Sequence, residues 1–137
     1  MKILVVSHGP MCEAMLESAA MIAGENPSVV AVKLTETGIG DFSGRLQSAI
    51  EACGDEPILI LSDIKGGTPY NESFKFAMTN PDRIRLISGV NLPMLIEVSL
   101  GLPGFSTIDE AEEAAVSAGT SSVQNTVFTE DDDDDLF

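Results

Sequence analysis

The chain has a single histidine, His8, which follows an apolar run at residues 2–7 (KILVVS) and precedes Gly9 and Pro10. A second apolar run, residues 57–62, ends at Asp63 and continues into Ile64-Lys65-Gly66-Gly67-Thr68-Pro69. Helix N-termini gather free N–H groups and partial positive charge, so an imidazole beside one is placed to attack an electrophilic phosphorus and hold it as phosphohistidine. The same spacing also suits a histidine that is structural or simply solvated. Asp63 reads two ways as well. It can accept a hydrogen bond from one ring nitrogen of His8, fixing the tautomer and leaving the other nitrogen nucleophilic; or it can cap its own turn. Gly66 and Gly67 permit positive φ and close backbone approach, and their N–H groups, with the Thr68 hydroxyl, can line an anion nest. An ordinary Gly-Gly turn before a proline-initiated helix fits them equally. Gly9, next to His8, belongs to the same candidate surroundings. Lys65 either offsets phosphate charge or is solvated.

These residues meet only if the fold brings their loops together. Residues 2–7, 29–35, 57–62 and 83–88 are near-continuous apolar runs of the kind buried on both faces of a parallel sheet. Helical stretches alternate with them: residues 11–23 between Pro10 and Gly24, from Asp41 or Ser43 to Cys53, about 70–78, from Leu92 or Pro93 to Leu100, and from Thr107 or Ile108 to Ala118. Strands alternating with helices predict an α/β, doubly wound, mostly parallel sheet with helices on both faces. Loops at the carboxyl ends of its strands share one crevice. Asn91 is expected to bond neighbouring loops, shaping the crevice or a subunit contact. Residues 123–128 are expected to add an edge strand, antiparallel to the rest.

Composition narrows the function. With 137 residues and 44% hydrophobic content, the chain suits one globular domain, expected over residues 1–128, followed by an acidic, disordered tail at 129–137. Seven basic residues face 22 acidic ones; the run from Glu130 to Asp135 holds six, and the other sixteen still outnumber the bases. Such a surface repels nucleic acid and anionic membranes. No apolar run spans a bilayer, and the first strand is too short for a secretory signal, so a cytoplasmic location is expected. Cys12 and Cys53 lack metal-ligand spacing and are expected to be reduced and buried. No Walker motif is present.

Together, VVSHG, LSDIKGGTPYN and SGVNLPML, in order and spacing from Met1 to about Leu100, resemble the IIA domain of the mannose/fructose/sorbose class of the bacterial sugar phosphotransferase system (PTS). The resemblance implies a doubly wound sheet, a homodimer and a relay. The carrier HPr, phosphorylated from phosphoenolpyruvate through enzyme I, would pass its phosphoryl group to His8, and His8 would pass it to a IIB component, expected as a separate chain. It implies His8 as phosphoacceptor, Asp63 as its support, Gly66, Gly67 and Thr68 around the phosphate, and no metal, nucleotide or other cofactor. A related phosphocarrier serving a dihydroxyacetone kinase or a transcriptional regulator shares the sheet and the histidine. A histidine phosphatase needs Arg before His-Gly and a second histidine, and an aspartate-phosphorylated receiver needs an acidic pair after strand one; Ser7-His8 stands in both places. A plain binding module is the remaining reading.

Overall fold

The computed structural model describes residues 1–129. Four strands, β1 (Lys2–His8), β2 (Val29–Leu34), β3 (Ile58–Ser62) and β4 (Ile84–Ser88), form an all-parallel sheet in the order β2-β1-β3-β4. Five helices alternate with them: α1 (Met11–Ala23), α2 (Ile39–Ala52), α3 (Thr68–Thr79), α4 (Leu92–Gly101) and α5 (Ile108–Ser121). A short 3-10 turn, Leu102–Gly104, follows α4.

The pleat sends alternate residues to opposite faces. Ile3, Val5, Leu59, Leu61 and Ile87 pack with residues of α1, α4 and α5, whereas Leu4, Val6, Ile58, Ile60 and Ile84 pack with Phe42, Leu46, Ile50, Phe76 and Ala77 of α2 and α3. The fold is the doubly wound α/β sandwich expected from the alternating pattern. All of β3 is buried, which explains its unbroken apolar sequence.

Helix boundaries follow local chemistry. Gly24, at φ +79°, ends α1 and donates its N–H to Ala20 O. Asn91 caps α4 by accepting the Met94 N–H, and its amide donates to Gly119 O and Ser122 Oγ, tying α4 to the end of α5. Thr107 caps α5. Two helices begin earlier than the sequence suggests, α2 at Ile39 and α3 at Thr68, because Gly38 and Gly67 at their starts carry no side-chain cap that would mark them.

One expectation is not met. Residues 123–128 form no strand and lie exposed, with Val123, Val127 and Phe128 all uncovered. A strand needs a ladder partner, and this segment has none within the described residues of one chain. The acidic run from Glu130 onward lies outside the described residues.

Candidate functional site

β1 leads to a helix on the β2 side, and β3 pairs with the other side of β1, so the strand order reverses between β1 and β3. The crevice of such a sheet opens at that point, and His8 and Asp63 occupy it. His8 is itself the last residue of β1, in register with Leu34 of β2, rather than the first residue of a loop. Asp63 directly follows β3 and donates its N–H to Val6 O across the strands.

The contact between them is close. His8 Nδ1 lies 2.6 Å from Asp63 Oδ2, which also accepts the His8 backbone N–H at 2.9 Å. The other carboxylate oxygen accepts the Ile64 N–H at 2.8 Å. Asp63 therefore both contacts the imidazole and caps its own turn, so the two readings of its role do not exclude one another. Its side chain is 8% exposed against 47% for His8. Burial opposes ionisation of Asp63, but the His8 backbone and ring and the Ile64 N–H outweigh it and hold the carboxyl below the usual value. A charged Asp63 requires the proton of the neutral imidazole on Nδ1, which leaves the lone pair on Nε2.

Nε2 faces the start of α3. Along β1, His8 shares its face with Leu4 and Val6, the side covered by α2 and α3. A Cβ added to Gly67 would stand 2.6 Å from His8 Cε1 and 3.2 Å from Nε2. The two glycines thus serve different needs. Gly66, at φ +86°, takes a left-handed conformation, whereas Gly67, at φ −77°, is an ordinary extended residue whose missing side chain makes room for the imidazole. Thr68 opens α3 and Pro69 has no N–H, so the N–H groups of Thr68 and Tyr70 have no intrahelical acceptor. Among the described residues the Thr68 hydroxyl makes no hydrogen bond. Gly9, at φ +59°, turns the chain from β1 into α1, and its N–H is bound to Leu34 O.

Several contributors carried weaker signals in the sequence. Asn71, the last residue of GGTPYN, donates from Nδ2 to Gly66 O at 3.0 Å and fixes the glycine turn. Met11, Ile39 and Ile64, 41%, 54% and 58% exposed, stand at the same end of the sheet as His8, at the starts of α1 and α2 and in the β3–α3 loop. Lys65 is exposed. Cys12 and Cys53 are free and buried, and burial raises both thiols above their usual pKa. Among the described residues, no three or more His, Cys, Asp or Glu side chains are grouped to hold a metal, and no helix is long and apolar enough to cross a membrane.

This arrangement of one oriented imidazole beside an uncapped helix N-terminus coincides with a family match over residues 2–116, to the family described as "PTS system fructose IIA component". The chain belongs to that family. The fructose-specific EIIA component of Bacillus subtilis (strain 168) is 36% identical over 98 residues, covering 70% of this chain and 66% of that protein. The sorbose-specific EIIA component of Klebsiella pneumoniae is 38% identical over 93 residues, 67% of each. Among solved structures, the mannose/sorbose-specific IIA subunit from Enterococcus faecalis superposes with a TM-score of 0.83 at 32% identity, covering 94% of this chain and 96% of that one. Sugar PTS IIA components are phosphotransfer proteins, and the crevice of this member holds the His8–Asp63 contact.

Proposed function

We propose that this protein accepts a phosphoryl group from phospho-HPr on His8 Nε2 and passes it to a IIB component during phosphoenolpyruvate-dependent sugar uptake. The observation that carries this reading is the 2.6 Å contact between His8 Nδ1 and Asp63, which leaves Nε2 as the nucleophile. In the step, the Nε2 lone pair forms a bond to phosphorus while the P–N bond to the donor imidazole breaks and returns its electron pair to that ring. Proton transfer is not required at Nδ1, where the proton stays between ring and carboxylate. As the ring gains positive character, the charge on Asp63 stabilises it. The N–H groups of Thr68 and Tyr70, the Thr68 hydroxyl and the α3 dipole receive the phosphoryl oxygens. Exchange between two imidazoles is nearly balanced in energy, so the relay runs in either direction without metal or nucleotide.

Both donor and acceptor are proteins working from the cytoplasm, and Met11, Ile39 and Ile64 give them an apolar surface beside the exposed ring. The protein also acts as a homodimer in this reading. The outer edge of β4, unpaired among the described residues, borders a groove of about 400 Å³ lined by Tyr70, Phe74, Met78 and Leu86, and residues 123–128 of a second copy add there as an antiparallel strand.

The test is a transfer assay with phosphoenolpyruvate, enzyme I and HPr, followed by intact mass. Wild type should gain one acid-labile phosphoryl and His8→Ala none. A wild type that stays unmodified by a cognate HPr, or a labelled His8→Ala, refutes the proposal.

A further inference from the structure

Ser7 is out of character with its strand. Ile3, Leu4, Val5 and Val6 before it are apolar and fully buried, and Ser7 continues the run with no exposure at all. A hydroxyl in such a place is costly unless it is hydrogen-bonded, and both of its bonds go to the segment that carries His8. Oγ donates to Gly9 O at 3.0 Å and accepts the Cys12 N–H at 2.8 Å. One short side chain thus spans from β1, across His8, Gly9 and Pro10, to the first turn of α1. Pro10, at the N-cap position, provides no side-chain cap, and Ser7 supplies the acceptor from three residues further back.

The segment is gripped from two other sides. The Gly9 N–H is bound to Leu34 O and the His8 N–H to Asp63. Along β1, Ser7 points to the face covered by α1, and His8 to the face covered by α3. The hydroxyl therefore anchors the backbone on one side of the sheet while the ring is presented on the other. Its removal leaves the Gly9 carbonyl without that donor and the Cys12 N–H without an acceptor.

We propose that Ser7 is a positioning residue for phosphoryl transfer, holding the Gly9 carbonyl and the start of α1 so that His8 stays against both Asp63 and Gly67. The proposal rests on His8 being the phosphoacceptor. It adds that the Cys12 N–H, being spent on Ser7, is withheld from the phosphoryl group, which is left to the N-terminus of α3.

The test compares wild type, His8→Ala, Ser7→Ala and Ser7→Thr, the last of which keeps the hydroxyl. Three readouts apply: the rate of adduct formation from phospho-HPr, the ring ¹⁵N shifts of the unphosphorylated protein, and thermal unfolding. The single histidine makes the ring signals unambiguous. Ser7→Ala should remain folded and accept phosphoryl about tenfold more slowly, the effect of one hydrogen bond on a barrier. Its His8 ring signals should move from the Nδ1–H tautomer toward the mixture of a free imidazole. Ser7→Thr should restore both. Wild-type rate and ring signals in Ser7→Ala would overturn the proposal, as would equal impairment of the Ala and Thr variants. If Ser7→Ala does not fold, Ser7→Cys, a poorer hydrogen-bonding group of similar size, replaces it under the same criteria. A wild type that accepts no phosphoryl removes the phosphocarrier reading, yet the ring signals still decide whether Ser7 positions His8.

Discussion

The His8 imidazole lies so close to the α-carbon of Gly67 that a methyl group there would come within 2.6 Å of its Cε1. Asp63 holds the ring on its Nδ1 side, so the imidazole is fixed between a carboxylate and a bare backbone. Contact on both sides holds a half-exposed side chain in one direction, as the proposed nucleophile requires.

Gly67→Ala tests that contact cleanly. At φ −77° and ψ 168° alanine meets no backbone strain, so the cost falls on the ring. The imidazole must tilt off its rotamer, at about 0.5–1.5 kcal/mol, or give up part of its bond to Asp63. The variant should fold with nearly unchanged thermal stability and accept phosphoryl about two- to tenfold more slowly. Initial rates of adduct formation beside a melting curve check this; an unimpaired rate would mean the ring moves aside at no cost.

Asp63→Asn should slow transfer and also reshape acid stability. The folded pKa of Asp63 lies below its ordinary value of 3.8, so the folded state binds fewer protons than the unfolded chain. Its stabilisation is complete above the unfolded pKa and is lost as pH falls through the folded one. Asparagine offers one acceptor oxygen where His8 and Ile64 use two, at a cost of about 1–3 kcal/mol for a group left unpaired. Urea unfolding from pH 7 down to pH 3 should show wild type more stable at neutrality, with the gap narrowing in acid. A gap that stays constant with pH would remove the charge from the account.

Much of this was readable from the residues because the strongest physical signals are local. Strands buried on both faces appear as unbroken runs such as ILILS, and Pro10 and Gly24 bracket α1 at its observed limits. What escaped depends on pairing between distant segments. His8 belongs to β1 only because Leu34 lies beside it, and nothing near His8 announces that register. Gly66 and Gly67 look alike as letters, yet one supplies a left-handed φ and the other supplies space. Residues 123–128 have apolar residues at both ends, as an edge strand can, but no neighbour to pair with among the described residues. Ser7 reads as an interruption of an apolar run until its hydroxyl is seen to bridge Gly9 and Cys12.

Both thiols should resist alkylation until the fold opens. Cys12 is fully buried and Cys53 nearly so, and burial favours the protonated, unreactive form of each. Iodoacetamide labelling followed by mass should therefore track the urea unfolding curve. Rapid labelling of either cysteine in native buffer would reveal local opening, and at Cys12 that opening would lie in the first turn of α1, beneath the His8 segment.

The final prediction separates the segment after α5 from the acidic run beyond it. Val123, Val127 and Phe128 are 81%, 73% and 81% exposed, a cluster of apolar side chains that costs solubility unless something covers it. β4 pairs only with β3 and leaves its other edge beside the Tyr70–Phe74 groove without a strand among the described residues. An edge strand and an unpaired apolar segment on the same chain satisfy one another when two copies exchange them, because each ladder supplies the backbone partners that the other lacks. Ending the chain after Thr129 should therefore leave a dimer with full phosphoryl acceptance, because both the proposed strand exchange and the His8 site lie within residues 1–129. Ending it after Ser122 should yield a monomer. Light scattering of the two truncations decides the matter: a dimer that survives loss of residues 123–129 would place the subunit contact elsewhere, and a monomeric wild type would leave the β4 edge open.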